Sequence, residues 1–290
     1  MDNEVFFDEN KNKTVGGTLY LVTTPIGNMS DITYRAVKVL READFIAAED
    51  TRNTYKLLKH LDISKEIISY HEHNKVSSGE DILQRLKNGE SCALVTDAGT
   101  PAISDPGEDL VRLCAESNVP VTAAPGVSAV VTALSLSALD TRRFIFEGFL
   151  PVPKKERNER LEAVSKYANT FIIYEAPHKL KKTLEDLLDT LGDRKISLCR
   201  ELTKLNEEIM RTTLSDACKY YNENSPRGEY VLVIEGSGIE STSDKFWSSM
   251  SVHEHVDHYI NSGMKKNDAI KAAAKDREVP KNVVYNEYIK

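Results

Sequence analysis

The run Cys92–Thr96, CALVT, passes directly into Asp97–Gly107, DAGTPAISDPG, and this junction constrains the fold more than any other stretch of the chain. A short apolar run reads as a strand buried on both faces of a parallel sheet, and in open α/β sheets ligands sit beyond the carboxyl ends of such strands. The loop that follows holds two glycines, two prolines and two aspartates. Residues of these types make tight turns and leave the backbone able to face a ligand. Its far end reads as a helix start, with Asp105 as cap, Pro106 in the first helical position and Glu108 completing a capping box. The apolar-periodic residues Leu110, Val111, Leu113 and Cys114 follow.

The same residues exclude two kinds of ligand site. Phosphate loops pair glycine with a cation or end in GKS or GKT, and dinucleotide sites need GxGxxG straight after a strand. Neither occurs, since Gly236-Ser237-Gly238 has Ser241 where the third glycine belongs. A loop with carboxylates and no cation suits ribose hydroxyls, an amino group or a positive centre.

Strand-like and helix-like segments alternate on both sides of this loop, the pattern of α/β domains. After a tail at residues 1–15, expected to be disordered, strands are expected near 17–24, 44–50, 67–73, 92–96 and 119–124. Helices are expected between them near 32–41, 53–61 and 79–87, and a small-residue helix follows in APGVSAVVTALSLSAL. Further strands read at 144–151, 170–179, 195–204, 207–214 and 228–236, and the close spacing from 195 to 213 implies antiparallel neighbours in a mixed sheet. STSDK, residues 241–245, reads as a linker, and the remainder as two or three small helices resembling a helix-turn-helix or an accessory bundle. The expected domains are therefore 16–140, 141–240 and a helical extension at 241–290.

With no apolar run of about 18 residues and a polar start, MDNEVFFDENKNK, the expectation is a cytoplasmic protein with no membrane span. The four cysteines, at 92, 114, 199 and 218, are too widely spaced for a disulfide or zinc framework and read as buried thiols. A net charge of −7 excludes a nucleic-acid footprint over the whole surface. Basic stretches at Arg142-Arg143, Lys154–Arg160 and His178–Lys182, with Lys265, Lys266, Lys271, Lys275 and Arg277, leave room for a local one.

Three more loops share the build of the first: TTPIGN (23–28), APGVSA (124–129) and YEAPH (174–178). TPIGNMSDITYRAVKVL, AAEDTR, YHEHN, DAGTPAISDPG, APGVSA, YEAPHK, CRELTK and GEYVLVIEG occur in the order seen in the ribosomal RNA small subunit methyltransferase I family. That family is a branch of the tetrapyrrole (corrin/porphyrin) methylases, and the resemblance covers residues 17–288. It implies an α/β fold of two domains, with a mostly parallel N-terminal sheet, a mixed C-terminal sheet and a small helical C-terminal extension. It also implies a homodimer that binds S-adenosylmethionine between its domains and methylates the ribose 2′-hydroxyl of a cytidine in the decoding region of 16S rRNA, within the small ribosomal subunit.

By motif position, the resemblance makes Pro25 and Ile26 part of the cofactor floor, Asp97 and Thr100 ribose or amino-acid contacts, Ser128 and Ala129 backbone contacts, and Tyr174 a cofactor-facing residue. Val127, Ala176, Lys179 and Met29 depart from the family's usual Pro, Ser, Arg and Leu. Val127 is expected to loosen the turn before Ser128, and the lysine matters only if that cation clamps RNA phosphate bidentately, since it lacks the guanidinium fork.

Methyl transfer to a hydroxyl is an in-line displacement that calls for alignment, water exclusion and a base. Candidates are Asp50 and Arg52 after the second strand, Tyr70–Asn74 after the third, Glu175 and His178, and Arg200, Glu201 and Lys204. Asp50, Arg52 and His71 are expected to face the RNA nucleotide, with Glu201 and Lys204 orienting it. The competing readings are a local ion pair among Glu49, Asp50 and Arg52, and an interdomain bridge between Arg200 and Glu201. No metal is expected: His71 and His73 share a strand face without a third ligand, and His253, His255 and His258 read as surface residues of a terminal helix. A tetrapyrrole C-methyltransferase using the same pocket, or a non-catalytic cofactor-binding ribosome-assembly protein, are the alternative functions.

Overall fold

The computed structural model describes residues 13–238, 247, 250–277 and 279–289. Strands β1 (Leu19–Val22), β2 (Phe45–Ala48), β3 (Glu66–Ser69), β4 (Cys92–Val95) and β5 (Val121–Ala124) form a parallel sheet in the order β3-β2-β4-β1-β5. Helices α1 (Tyr34–Glu42), α2 (Thr51–His60), α3 (Lys75–Lys87), α4 (Gly107–Glu116) and α5 (Ala129–Leu136) follow the strands in turn. Every residue of β2 and β4 is buried, which is why FIAA and CALV read as unbroken apolar runs. Alternate residues feed opposite faces: Leu19, Phe45 and Leu94 enter one core, while Tyr20, Ile46 and Val95 meet Ala36, Val39 and Leu40 of α1 in the other. Ahead of β2 and β4, Asp44 Oδ2 accepts from the backbone N–H and the hydroxyl of Ser91, each at 2.7 Å, and so fixes where the two strands begin.

The second sheet contains β6 (Phe144–Phe149), β7 (Thr170–Glu175), β8 (Lys195–Arg200), β9 (Glu208–Thr213) and β10 (Tyr230–Ile234), in the order β6-β7-β10-β8-β9. Only β6 and β7 pair in parallel, so the sheet is mixed, as the tight spacing after residue 195 implies. Helices α6 (Lys154–Ser165), α7 (Pro177–Leu191) and α8 (Leu214–Glu223) complete this layer. The small-residue helix α5 packs Val130, Ala133 and Leu134 against Ile172, Cys199, Val231 and Val233. It follows the first sheet in sequence and is buried on the second, so both sheets belong to one compact unit, formed by the chain up to Ser165 together with Asn169–Gly236.

Lys166–Ala168 and the chain from Ser237 onward form a second unit. Its helices α9 (Val252–Asn261), α10 (Lys266–Asp276) and α11 (Lys281–Ile289) enclose Val256, Ala269, Ile270, Ala273 and Val284. His255 corrects an expectation, because it is fully buried and not a surface residue. It shares the helix face of Val252 and Val256, and its ring is satisfied by Asp276 at 3.2 Å and by the Arg277 guanidinium at 3.1 Å. His253 and His258 are exposed.

Other expectations shift at element ends. The capping box at α4 does not form: the helix starts at Gly107, and Glu108 turns to Arg112 one turn on, a charged partner in place of a backbone N–H. Strand β3 stops at Ser69, because the Asn74 side chain donates to the Ser69 carbonyl and accepts from the His71 N–H, curling the chain into a turn. The expected linker at 241–245, and the tail as far as residue 12, lie outside the described residues, whereas Thr14 is tied to the Glu42 carboxylate. The four cysteines are free thiols, three of them buried.

Candidate functional site

Parallel strands deliver their carboxyl ends to one edge, and there a cavity of about 680 Å³ opens between the loops of the two sheets. That volume lies within the roughly 300–1,000 Å³ typical of small-molecule and cofactor sites. From the first sheet come Ile26 after β1, Glu49 after β2, the loop from Asp97 to Asp105 after β4, and Ser128 and Ala129 opening α5. The second sheet supplies Phe146, Phe149, Tyr174, Leu202 and Val231.

The loop after β4 is shaped from within. Asp105 Oδ1 accepts from the N–H groups of Ala102 and Gly107, at 2.9 and 2.7 Å, and its Oδ2 is buried without a partner among the described residues. Ala102 and Ser104 have φ of 66° and 62°, a left-handed conformation that side-chain-bearing residues adopt rarely and that clusters at functional sites. Tyr70, buried beneath, donates to the Pro106 carbonyl at 3.1 Å and props the end of the loop. Burial pushes its phenol up to about 12.

Glu49 stands at the carboxyl end of β2, and its Oε2 accepts from the Thr96 hydroxyl at 3.1 Å. Burial raises its carboxyl above the ordinary glutamate range. The charges of Asp97 and Asp105 add to the rise, against the opposing pull of the Thr96 hydrogen bond and of His71. At α5, Ser128 is extended and makes no side-chain cap, so the first-turn N–H groups are open at the positive end of the helix dipole.

The opposite wall is aromatic and ionic. Tyr174 meets Phe146 and Phe149 edge to face, at 5.0 and 5.5 Å between ring centres. Glu201 and Thr203 are again left-handed, with φ of 50° and 66°. Lys204 Nζ lies 2.8 Å from Glu201 and 2.9 Å from Glu229. Burial works against charge on Lys204, but the two carboxylates outweigh it and the ammonium is held above its ordinary range. The stem of Lys204 crosses Gly27, where a Cβ would come within 2.3 Å of the lysine Cγ.

The cavity thus gathers Ile26, Asp97, Thr100, Ser128, Ala129, Tyr174, Glu175, Glu201 and Lys204 of the residues singled out in sequence. Pro25 is not in its lining, nor are Asp50, Arg52 and His71. Asp50 accepts from the Arg52 backbone at 2.8 Å, capping α2, and from the Arg52 guanidinium at 3.1 and 2.7 Å, so the local ion pair is what forms. Those bonds hold the Asp50 carboxyl down at about 2. The Arg52 side chain is 85% exposed, and the charge of Asp97 reaches it. His71 lies in the turn after β3 with Nδ1 buried and unpartnered among the described residues. Arg200 pairs with Glu208 across β8 and β9 and not with Glu201.

Sequence reading assigned no cavity role to Glu49, Phe146 or Phe149. Adjacent residues at a strand end point to opposite sides, so AAEDTR alone offers Glu49 and Asp50 without saying which faces inward. Among the described residues, no group of three His, Cys, Asp or Glu side chains could hold a metal ion, and no helix is long and apolar enough to cross a membrane.

A family model described as tetrapyrrole (corrin/porphyrin) methylases matches residues 18–218. In fold the chain is similar to a cobalt precorrin-4 methyltransferase, with a TM-score of 0.57 and 20% identity over 76% of this chain and 95% of that one. It is also similar to uroporphyrin-III C-methyltransferase from Thermus thermophilus complexed with S-adenyl homocysteine, with a TM-score of 0.54 and 17% identity over 75% of this chain and 97% of that one. The two sheets have the fold of this methylase class. The protein named ribosomal RNA small subunit methyltransferase I in Halalkalibacterium halodurans is 50% identical over 273 residues, 94% of both chains. Its namesake in Bacillus subtilis is 48% identical over 274 residues, again 94% of both. The chain belongs to the ribosomal RNA small subunit methyltransferase I family of the tetrapyrrole methylases.

Proposed function

We propose that this protein binds S-adenosylmethionine in the cavity and methylates the ribose 2′-hydroxyl of a cytidine in the decoding region of 16S rRNA, in the small ribosomal subunit. The observation that carries this reading is the match to relatives of that name along 94% of the chain, through both sheets and the C-terminal helices. The chemistry of the cavity agrees with the cofactor. It offers the unpartnered Asp105 Oδ2, open N–H groups at the start of α5 and an apolar wall, with no phosphate cradle.

When bound, S-adenosylmethionine supplies a methyl group on a cationic sulfur. Asp97 and Asp105 balance that positive charge and accept from hydroxyl or ammonium groups. Ser128 and Ala129 present backbone N–H groups to a carboxylate. Ile26, carried by the turn at Pro25, and Tyr174 cover the flat base, and Thr100 adds a hydroxyl. The apolar wall excludes water from the reacting atoms. On the acceptor side Arg52, exposed beside Asp97, meets RNA phosphate, with Asp50 holding its orientation, and His71 faces the nucleotide. Glu201 and Lys204 fix the opposite wall. The protein works as a cytoplasmic homodimer, and its acidic net charge of −7 makes docking depend on shape, with a shallow salt dependence.

Labelled cofactor supplied with small ribosomal subunits, naked 16S rRNA or a porphyrin precursor tests this reading. Label in RNA of the small subunit is expected. Label in the porphyrin, or binding with no transfer to any acceptor, overturns it.

A further inference from the structure

We infer that Glu49 is the catalytic residue that takes the proton of the acceptor hydroxyl. The inference rests on the methyltransferase reading above and adds to it the group that makes the hydroxyl a nucleophile. Six acidic side chains line the cavity: Glu49, Asp97, Asp105, Glu175, Glu201 and Glu229. Glu175 is occupied by the Ala176 N–H and the Thr183 hydroxyl, and Glu201 and Glu229 by Lys204. Asp97 and Asp105 are taken by the cofactor in the reading above, and Asp105 Oδ1 also holds the loop backbone. Asp50 is outside the lining and committed to Arg52. Glu49 remains: half-buried, on a rigid strand end, with one hydrogen bond at Oε2 from Thr96.

Its surroundings set its proton affinity. Thr96, Asp97 and Asp105 face it from β4 and the loop beyond, and His71 from the turn after β3. Burial and the two like charges disfavour the ionised form, which moves the group toward the range where a general base works well near neutral pH. As the hydroxyl oxygen bonds to the methyl carbon, the carbon–sulfur bond breaks with its electron pair left on sulfur. The hydroxyl proton passes to Glu49, which releases it to water when the products leave.

Glu49→Gln keeps the shape and removes the base. In the full-length protein, S-adenosylhomocysteine affinity by calorimetry is expected to stay within about twofold, while kcat on small subunits falls by about 10²- to 10⁴-fold. The acidic limb of the wild-type kcat–pH profile disappears in this variant, and Glu49→Asp recovers part of the rate. Carbon NMR of the cofactor-free protein, wild type against E49Q, places the Glu49 titration above the ordinary glutamate range. Near-wild-type turnover in E49Q, a loss of cofactor affinity matching the loss of rate, or an ordinary titration midpoint overturns the inference. Failure of the rRNA reading looks different: the wild type leaves small subunits unlabelled, and E49Q is then scored on the acceptor that takes the label.

Discussion

Lys204 and Gly27 make one contact from two distant parts of the chain, and the contact works only because residue 27 has no side chain. With φ of 154° and a Cβ position 2.3 Å from the lysine Cγ, Gly27→Ala drives Lys204 out of its place between Glu201 and Glu229. Cofactor affinity and transfer rate are expected to fall several-fold, with a smaller change in thermal unfolding. Equal losses in both would mean that the glycine serves the fold alone. Asp44 carries a pH dependence. The Ser91 backbone N–H and then its hydroxyl lower the Asp44 carboxyl below its ordinary value, so its contribution is full above about pH 4 and is lost as pH falls through the lower folded value. Denaturant unfolding of Asp44→Asn is therefore expected to show a flatter acid limb than wild type. At this scale the sequence was a partial guide. It showed which segments carry chemistry, but the pairing of Asp50 with the Arg52 guanidinium and the stop of β3 at Ser69 ahead of His71 depend on partners, Arg52 and Asn74, that only the folded chain assembles.

The strands were the legible elements. FIAA and CALV are buried on both faces, so composition alone marks them, whereas the order β3-β2-β4-β1-β5 is set by packing that the sequence pattern does not encode. Ends of elements were less legible, since an acidic residue in a first turn can cap its own helix or, as Glu108 does, bond to an arginine. The loop itself is an element, held by Asp105 from within and by Tyr70 from below. Tyr70→Phe removes one hydrogen bond, and thermal unfolding should show a cost of about 1 kcal/mol. Cofactor affinity should weaken as well, because the left-handed residues Ala102 and Ser104 lose the prop that holds their loop. Unchanged affinity in the folded variant would show that Asp105 alone sets the loop.

At the scale of the molecule, the chain divides its apolar residues between a two-sheet unit with a cleft and a three-helix unit with its own cluster. The helical unit was foreseen as two or three helices, but His255 was not foreseen inside it, because a histidine on an apolar stripe is buried only when partners such as Asp276 and Arg277 satisfy it. Ile270 is fully buried in that cluster, and Ile270→Ala is expected to cost about 2–5 kcal/mol locally. Hydrogen exchange should then quicken in α9, α10 and α11 while β10 keeps its protection. Equal loss of protection in β10 would make the two units one cooperative body. In the proposed function the cavity of the two-sheet unit delivers a methyl group to an rRNA ribose. The most direct test of this transfer is nucleoside mass spectrometry of 16S rRNA recovered from small subunits after reaction with the purified protein and S-adenosylmethionine. One new 2′-O-methylcytidine is predicted, and a base-methylated nucleoside, or unmodified RNA from an active cofactor-binding protein, would contradict the account.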